Sequence, residues 1–153
     1  MMETLENCAL FIGCREEERA AIAEIATRHE YPDATTIVFA GDPGHTLYLI
    51  EKGLVEVVVR ADDGSEKVVA ELRSSEALMD QYAGGFFGEM SLIDVEPRSA
   101  SVRSRGEVTV IAVPAKKLRE VFNAHPDMHL TVVLNIARVL SRRLREANER
   151  WGT

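Results

Sequence analysis

Between Ala34 and Val113 the chain is a succession of short β-branched runs cut by turn residues. "TTIVFA", "TLYLIEKG", "LVEVVVR" and "EKVVAEL" alternate with "GDPGH" and "ADDGS". Val, Ile and Thr suit a pleated strand because their branched Cβ packs well there, whereas Gly, Pro and Asp supply tight reversals. Such regular punctuation predicts antiparallel sheet. "SVRSRGEVTVIAVP" adds two more strands around Gly106. Roughly eight strands in one continuous block, 34–113, are enough for a sandwich or barrel.

The flanks change period. "REEERAAIAEIATRHEY" places Ala21, Ile22, Ile25 and Ala26 at helical spacing behind acidic residues that favour a helix start, and Pro32 stops it. An N-terminal helix is therefore expected over 15–31. Pro114 opens a C-terminal helical region over 114–151, with a short helix "PAKKLREVFNAH" and a much longer one from Pro126. In the long helix Val133, Ala137, Leu140, Leu144 and Ala147 form a heptad seam, with Val132, Ile136 and Val139 as a second stripe beside it. One face is expected to cover the barrel and the other to meet a partner, a second copy included. The alternative is one wide core-facing surface on a monomer. Arg138, Arg142, Arg143, Arg145 and Arg150 give this helix a basic end, read as a solvated face that complements the helix C-terminus.

Composition excludes several classes. The chain has 153 residues, 46% of them hydrophobic, and a formal net charge of -7. That length suits one domain with a proper core. The acidic balance argues against a surface built broadly for nucleic acid or anionic lipid. No apolar run approaches the roughly 20 residues of a membrane span, and the N-terminus lacks a signal-peptide pattern, so a cytoplasmic protein is expected. Cys8 and Cys14 read as reduced bystanders without the second pair a zinc or iron-sulfur site needs. His29 and His45 are isolated, and Pro126 interrupts the spacing of His125 and His129. No metal, no cofactor and no catalytic constellation is expected, and the protein is read as a non-enzyme.

"FFGEMSLIDVEPRSASV", residues 86–102, carries the chemistry. Gly88 lets something approach the backbone closely, and residues 89–93 read as a short helical turn whose first amides suit an anion. Arg98 adds a forked, permanently charged donor, followed by the hydroxyl of Ser99 and the compact Ala100. Together they form a cradle of phosphate size. Glu89 does not belong beside a phosphate, but it suits a sugar hydroxyl, and phosphate plus ribose is a nucleotide. An internal Glu89–Arg98 ion pair closing the loop is the competing reading of the same residues.

This stretch resembles the phosphate-binding cassette of the cyclic nucleotide-binding domain family. "CALFIG" is similar to the family's opening helix and loop, and "GDPGHTLYLIEKGLVEVVV" to its Gly-Asp turn and Tyr-x-Ile-x-x-Gly strand pair. The resemblance implies a double-stranded β-helix, or jelly-roll-like barrel, with an N-terminal helix and two C-terminal helices. It implies a ligand, cyclic AMP or cyclic GMP, with Ser99 leaning towards cyclic AMP. Glu89 would hold the ribose hydroxyl, and the amides about Gly88, Glu89, Met90 and Ser91 would face the ligand. Arg98, Ser99 and Ala100 would hold the cyclic phosphate, with Phe87 and Val102 as walls. Val68 and Ala70 would line the base, with Arg138, Arg142 or Asn135 reaching from the last helix. The stretch "RSSEALMDQYAGG", 73–85, is longer than the family's usual connection there.

The expected function is a regulatory sensor that passes ligand binding through its last helix to a protein partner or to its twin. The chain starts at Met1 and ends at Thr153 without a helix-turn-helix, so a stand-alone domain without direct DNA binding is expected. The alternative is an interaction module on the same fold that binds no nucleotide.

Overall fold

The computed structural model describes residues 1–74, 85–88, 92 and 100–151. The order is α1 (Met2–Asn7), a 3-10 turn (Ala9–Phe11), α2 (Glu16–Ile25), β1 (Thr27–Tyr31), β2 (Thr36–Val38), β3 (Thr46–Arg60), β4 (Glu66–Arg73), β5 (Phe86–Phe87), β6 (Ser101–Pro114), α3 (Ala115–Ala124) and α4 (Pro126–Trp151). The fold is mainly antiparallel β with helices at both ends, in keeping with the jelly-roll-like expectation. The six described strands lie in the order β1-β6-β3-β4, with β2 added to β6 and β5 to β3.

Two long strands replace four expected short ones. "TLYLIEKG" and "LVEVVVR" run together as β3, and the two strands expected around Gly106 run together as β6. The joint in β3 is Gly53, where the register with β6 shifts between Ile50 and Leu54. Gly53 has φ +97, and a Cβ there would lie 2.5 Å from the Glu107 carbonyl oxygen. Only glycine lets the two backbones meet at that bend without strain.

The N-terminal helix is shorter than its pattern predicts. It ends at Ile25, and residues 27–31 form β1, pairing antiparallel with β6 from Thr27↔Ala112 to Tyr31↔Val108. Thr, His and Tyr are indifferent helix formers, so ladder bonds to a neighbouring strand outweigh the continuation of the helix. Glu18 caps α2 by accepting the Arg15 backbone N–H at 2.8 Å. Helix α1 lacks a periodic signal of its own length, and it is fixed by burial of Leu5.

The core has two parts. Leu5, Leu10, Phe11, Ile22, Leu47, Leu49, Phe86, Ile111, Leu118, Val132 and Ile136 are buried between the helices and one half of the roll. Val38, Ile50, Val55, Phe87, Val102, Val108 and Val110 fill the other half, with Tyr31, Tyr48, Val57 and Leu72 packed on them. The second stripe of helix α4, Val132, Ile136 and Val139, is buried. Of the expected seam, Val133, Ala137 and Leu144 are exposed while Leu140 packs on the helix-side core, and Leu130 and Leu134, outside the seam, are exposed as well.

Candidate functional site

Both ends of the 86–102 stretch fall within the described residues and lead into the same core. On β5, Phe86 pairs with Leu49 and Phe87 with Tyr48. Gly85 accepts the Ile50 N–H at 2.6 Å. Alternation along the strand sends the two phenylalanines to different places: Phe86 to the helix-side core, Phe87 to the roll-side core. The Phe87 ring stacks on Tyr48 with centroids 4.9 Å apart and an interplanar angle of 15°. Gly88 follows with φ +83. That left-handed conformation is open to glycine at no steric cost.

At the far end, half-buried Ala100 feeds β6. Ser101 pairs with Val58 and Val102 with Val57, and Val102 is buried in the cluster that holds Phe87. The walls expected at Phe87 and Val102 are thus one packed surface. Glu89, Met90, Ser91, Arg98 and Ser99 lie outside the described residues, as do 75–84 of the expected insertion. On β4, Val68 stands opposite Val58 and Ala70 opposite Val57, with a register shift between them, and both are exposed.

Helix α4 meets the start of this stretch through Arg143, which was expected on the solvated basic end of the helix but is half-buried. The Arg143 guanidinium lies over the Phe86 ring, 5.3 Å from its centroid, a cation–π contact two residues before Gly88. The signal was present: Val132, Ile136 and Val139 continue to Arg143 at the same four-three-four spacing, so Arg143 falls on the buried stripe. Asn135, by contrast, is turned to a different task. Its Nδ2 donates to the carbonyls of Leu10 at 2.8 Å and Ile12 at 2.9 Å, and its Oδ1 accepts from Arg138 at 3.1 Å. Asn135 is thus committed to the Leu10–Ile12 segment and to one nitrogen of Arg138.

A second polar junction ties α1 to the sheet. Glu51 accepts two bonds from Arg28, at 2.9 and 3.0 Å, and one from the Thr4 hydroxyl at 3.2 Å. The Arg28 hydrogen bonds hold the Glu51 carboxyl below its ordinary range. Burial pushes the Cys8 thiol up to about 12 and raises Cys14 as well, which leaves both as protonated thiols at neutral pH. Among the described residues no group of three or more His, Cys, Asp or Glu side chains could hold a metal ion. No described helix is long and apolar enough to cross a membrane.

Residues 28–125 match the family model for the cyclic nucleotide-binding domain. The chain belongs to that family. It is 30% identical over 125 residues to the cAMP-activated global transcriptional regulator CRP of Salmonella typhimurium, covering 81% of this chain and 53% of the relative. It is 30% identical over 148 residues to the CRP-like cAMP-activated global transcriptional regulator of Mycobacterium tuberculosis, covering 97% of this chain and 60% of the relative. The chain thus spans little more than half the length of these curated relatives. Among solved structures, a cyclic nucleotide-binding domain from Methylobacillus flagellatus superposes with a TM-score of 0.79 at 26% identity, over 97% of this chain and 79% of the other.

Proposed function

We propose that this protein is a regulatory sensor that binds a cyclic nucleotide, cyclic AMP in preference to cyclic GMP, and signals through α4. The observation that carries this reading is the family match over 28–125 together with an intact cassette sequence inside it. In the proposed complex the amides about Gly88, Glu89, Met90 and Ser91 face the ligand, and Glu89 accepts from the ribose hydroxyl. Arg98 neutralises the cyclic phosphate, with Ser99 and Ala100 donating beside it, and Phe87 backs the pocket. Charge-assisted bonds of this kind contribute about 1.5–3 kcal/mol each. Base preference follows from Ser99, whose hydroxyl is the family's commoner companion of cyclic AMP.

Transmission is proposed to run through Arg143. Its contact with Phe86 joins α4 to the strand that enters the cassette, so a ligand that reorders the cassette acts on the seat of α4. A ligand shifts such an equilibrium only by its differential affinity for the two arrangements. The exposed stripe of Leu130, Val133, Leu134 and Leu144 supports a homodimer or a protein partner on the outward face of α4. Direct DNA contact is not assigned to these residues, and the cytoplasm is the proposed place of action.

Calorimetric titration of cyclic AMP and cyclic GMP into protein freed of ligand by unfolding and refolding tests the reading. Saturable binding, tighter for cyclic AMP and mostly lost in Arg98→Ala, is the expected result. Absence of heat with both nucleotides, or full affinity in Arg98→Ala, overturns it.

A further inference from the structure

The outer face of the sheet carries a cleft of about 430 Å³ lined by Thr36, Phe39, Val58, Arg60 and Ser101 among others. Sites for small organic ligands have volumes of about 300–1,000 Å³. Its deep part is Val58, buried, and its rim is Phe39, 55% exposed in the loop after β2. Arg60, Glu66, Arg103 and Ser101 complete it. The cleft lies on the face opposite the roll-side core for a geometric reason. Val58 and Ser101 are cross-strand partners, and the adjoining pair, Val57 and Val102, contacts the roll-side core. Successive residues of a strand face opposite sides of a sheet.

Charge within the cleft is unevenly committed. Arg103 donates to Glu66 at 2.8 Å and to Glu56 at 3.2 Å. Arg60 stands opposite Glu66 across the strand pair and helps lower its pKa, yet its guanidinium makes no hydrogen bond or ion pair with the described residues. One cation is therefore available beside an exposed aromatic ring and an apolar floor. Glu66, already ionised by its own partners, disfavours a second negative charge there.

We propose that this cleft binds a small monoanionic aromatic molecule of the aryl-carboxylate class, with its ring on Phe39 above Val58 and its carboxylate on Arg60. Offset stacking and a forked guanidinium–carboxylate pair are the two interactions that this set of side chains offers. Ser101 accepts the Ala40 N–H at 2.9 Å, which fixes the Phe39 loop to the first residue of β6 and holds the cleft in shape.

Phenylacetate serves as the probe, titrated into the nucleotide-free full chain and followed by amide resonances. Saturable shifts are expected at Ala40, Val59 and Ser101. Affinity is expected to fall about tenfold or more in Arg60→Gln and with the neutral analogue phenylacetamide, the loss of one charge-assisted bond. Phe39→Ala is expected to weaken binding as well. No saturable shift, equal affinity for phenylacetamide, unchanged affinity in Arg60→Gln, or shifts confined to Gly88 and Ala100 would each overturn the proposal. Cyclic nucleotide takes no part in this experiment, so its outcome is independent of the proposed sensor function.

Discussion

Gly53 and Glu51, two residues apart on β3, illustrate different kinds of constraint. At Gly53 the constraint is steric, since φ is +97 and a methyl group would meet the Glu107 carbonyl oxygen. Gly53→Ala is expected to cost about 1–3 kcal/mol from backbone strain, with the clash adding to it. Urea denaturation measures this, and a loss below about 0.5 kcal/mol, the range of an ordinary surface change, would contradict the strained geometry. At Glu51 the constraint is electrostatic. Its folded pKa lies below the ordinary 4.5 because Arg28 bonds the ionised form. The carboxylate's contribution is therefore fully present above pH 4.5 and disappears as pH falls through the lower folded value. Glu51→Gln is expected to lower the melting temperature at pH 7 and to flatten its decline below pH 4.5. Equal acid slopes in both proteins would show that the Arg28 contact contributes nothing.

Among the elements, α4 is where sequence and structure inform each other most. Its two stripes were visible as a heptad seam and a neighbouring row, but periodicity does not say which row is buried. Packing against the 3-10 turn chose Val132, Ile136 and Val139, and Asn135 was drawn in with them because two carbonyls of the Leu10–Ile12 segment need donors. Asn135→Leu is expected to destabilise by about 1–3 kcal/mol by leaving those carbonyls unpaired, while cyclic nucleotide affinity stays within a few-fold. A selective loss of affinity without loss of stability would instead place Asn135 at the ligand. The outward row gives a different expectation. Leu134→Glu combined with Leu144→Glu should abolish self-association in sedimentation equilibrium and leave the melting curve of the monomer nearly unchanged, since both side chains are exposed. A wild-type chain that is already monomeric at all concentrations would remove the second copy as the partner of this face.

For the whole molecule, the sensor reading makes a linkage prediction. A ligand that binds only the folded state at about one hundred times its Kd stabilises by about 2.7 kcal/mol, so cyclic AMP should raise the melting temperature by several degrees. The rise should vanish in Arg98→Ala and shrink in Arg143→Ala, where a cation–π contact worth about 0.5–2 kcal/mol is lost. An undiminished rise in Arg143→Ala would separate α4 from the ligand.

The strand-rich block, the helical ends and the family were legible in the sequence because each is written in local chemistry. β-branched runs, turn residues and short motifs act over a few residues, and residues 28–125 match the family model. Tertiary structure alone decided where α2 stops, since residues 27–31 gain more from the β6 ladder than from another helical turn. It alone joined four expected strands into β3 and β6, chose the buried stripe of α4, and set Arg143 over Phe86. These outcomes depend on contacts between residues distant in the chain, where packing and hydrogen-bond satisfaction outweigh the few tenths of a kcal/mol by which neighbouring residues favour one local conformation over another.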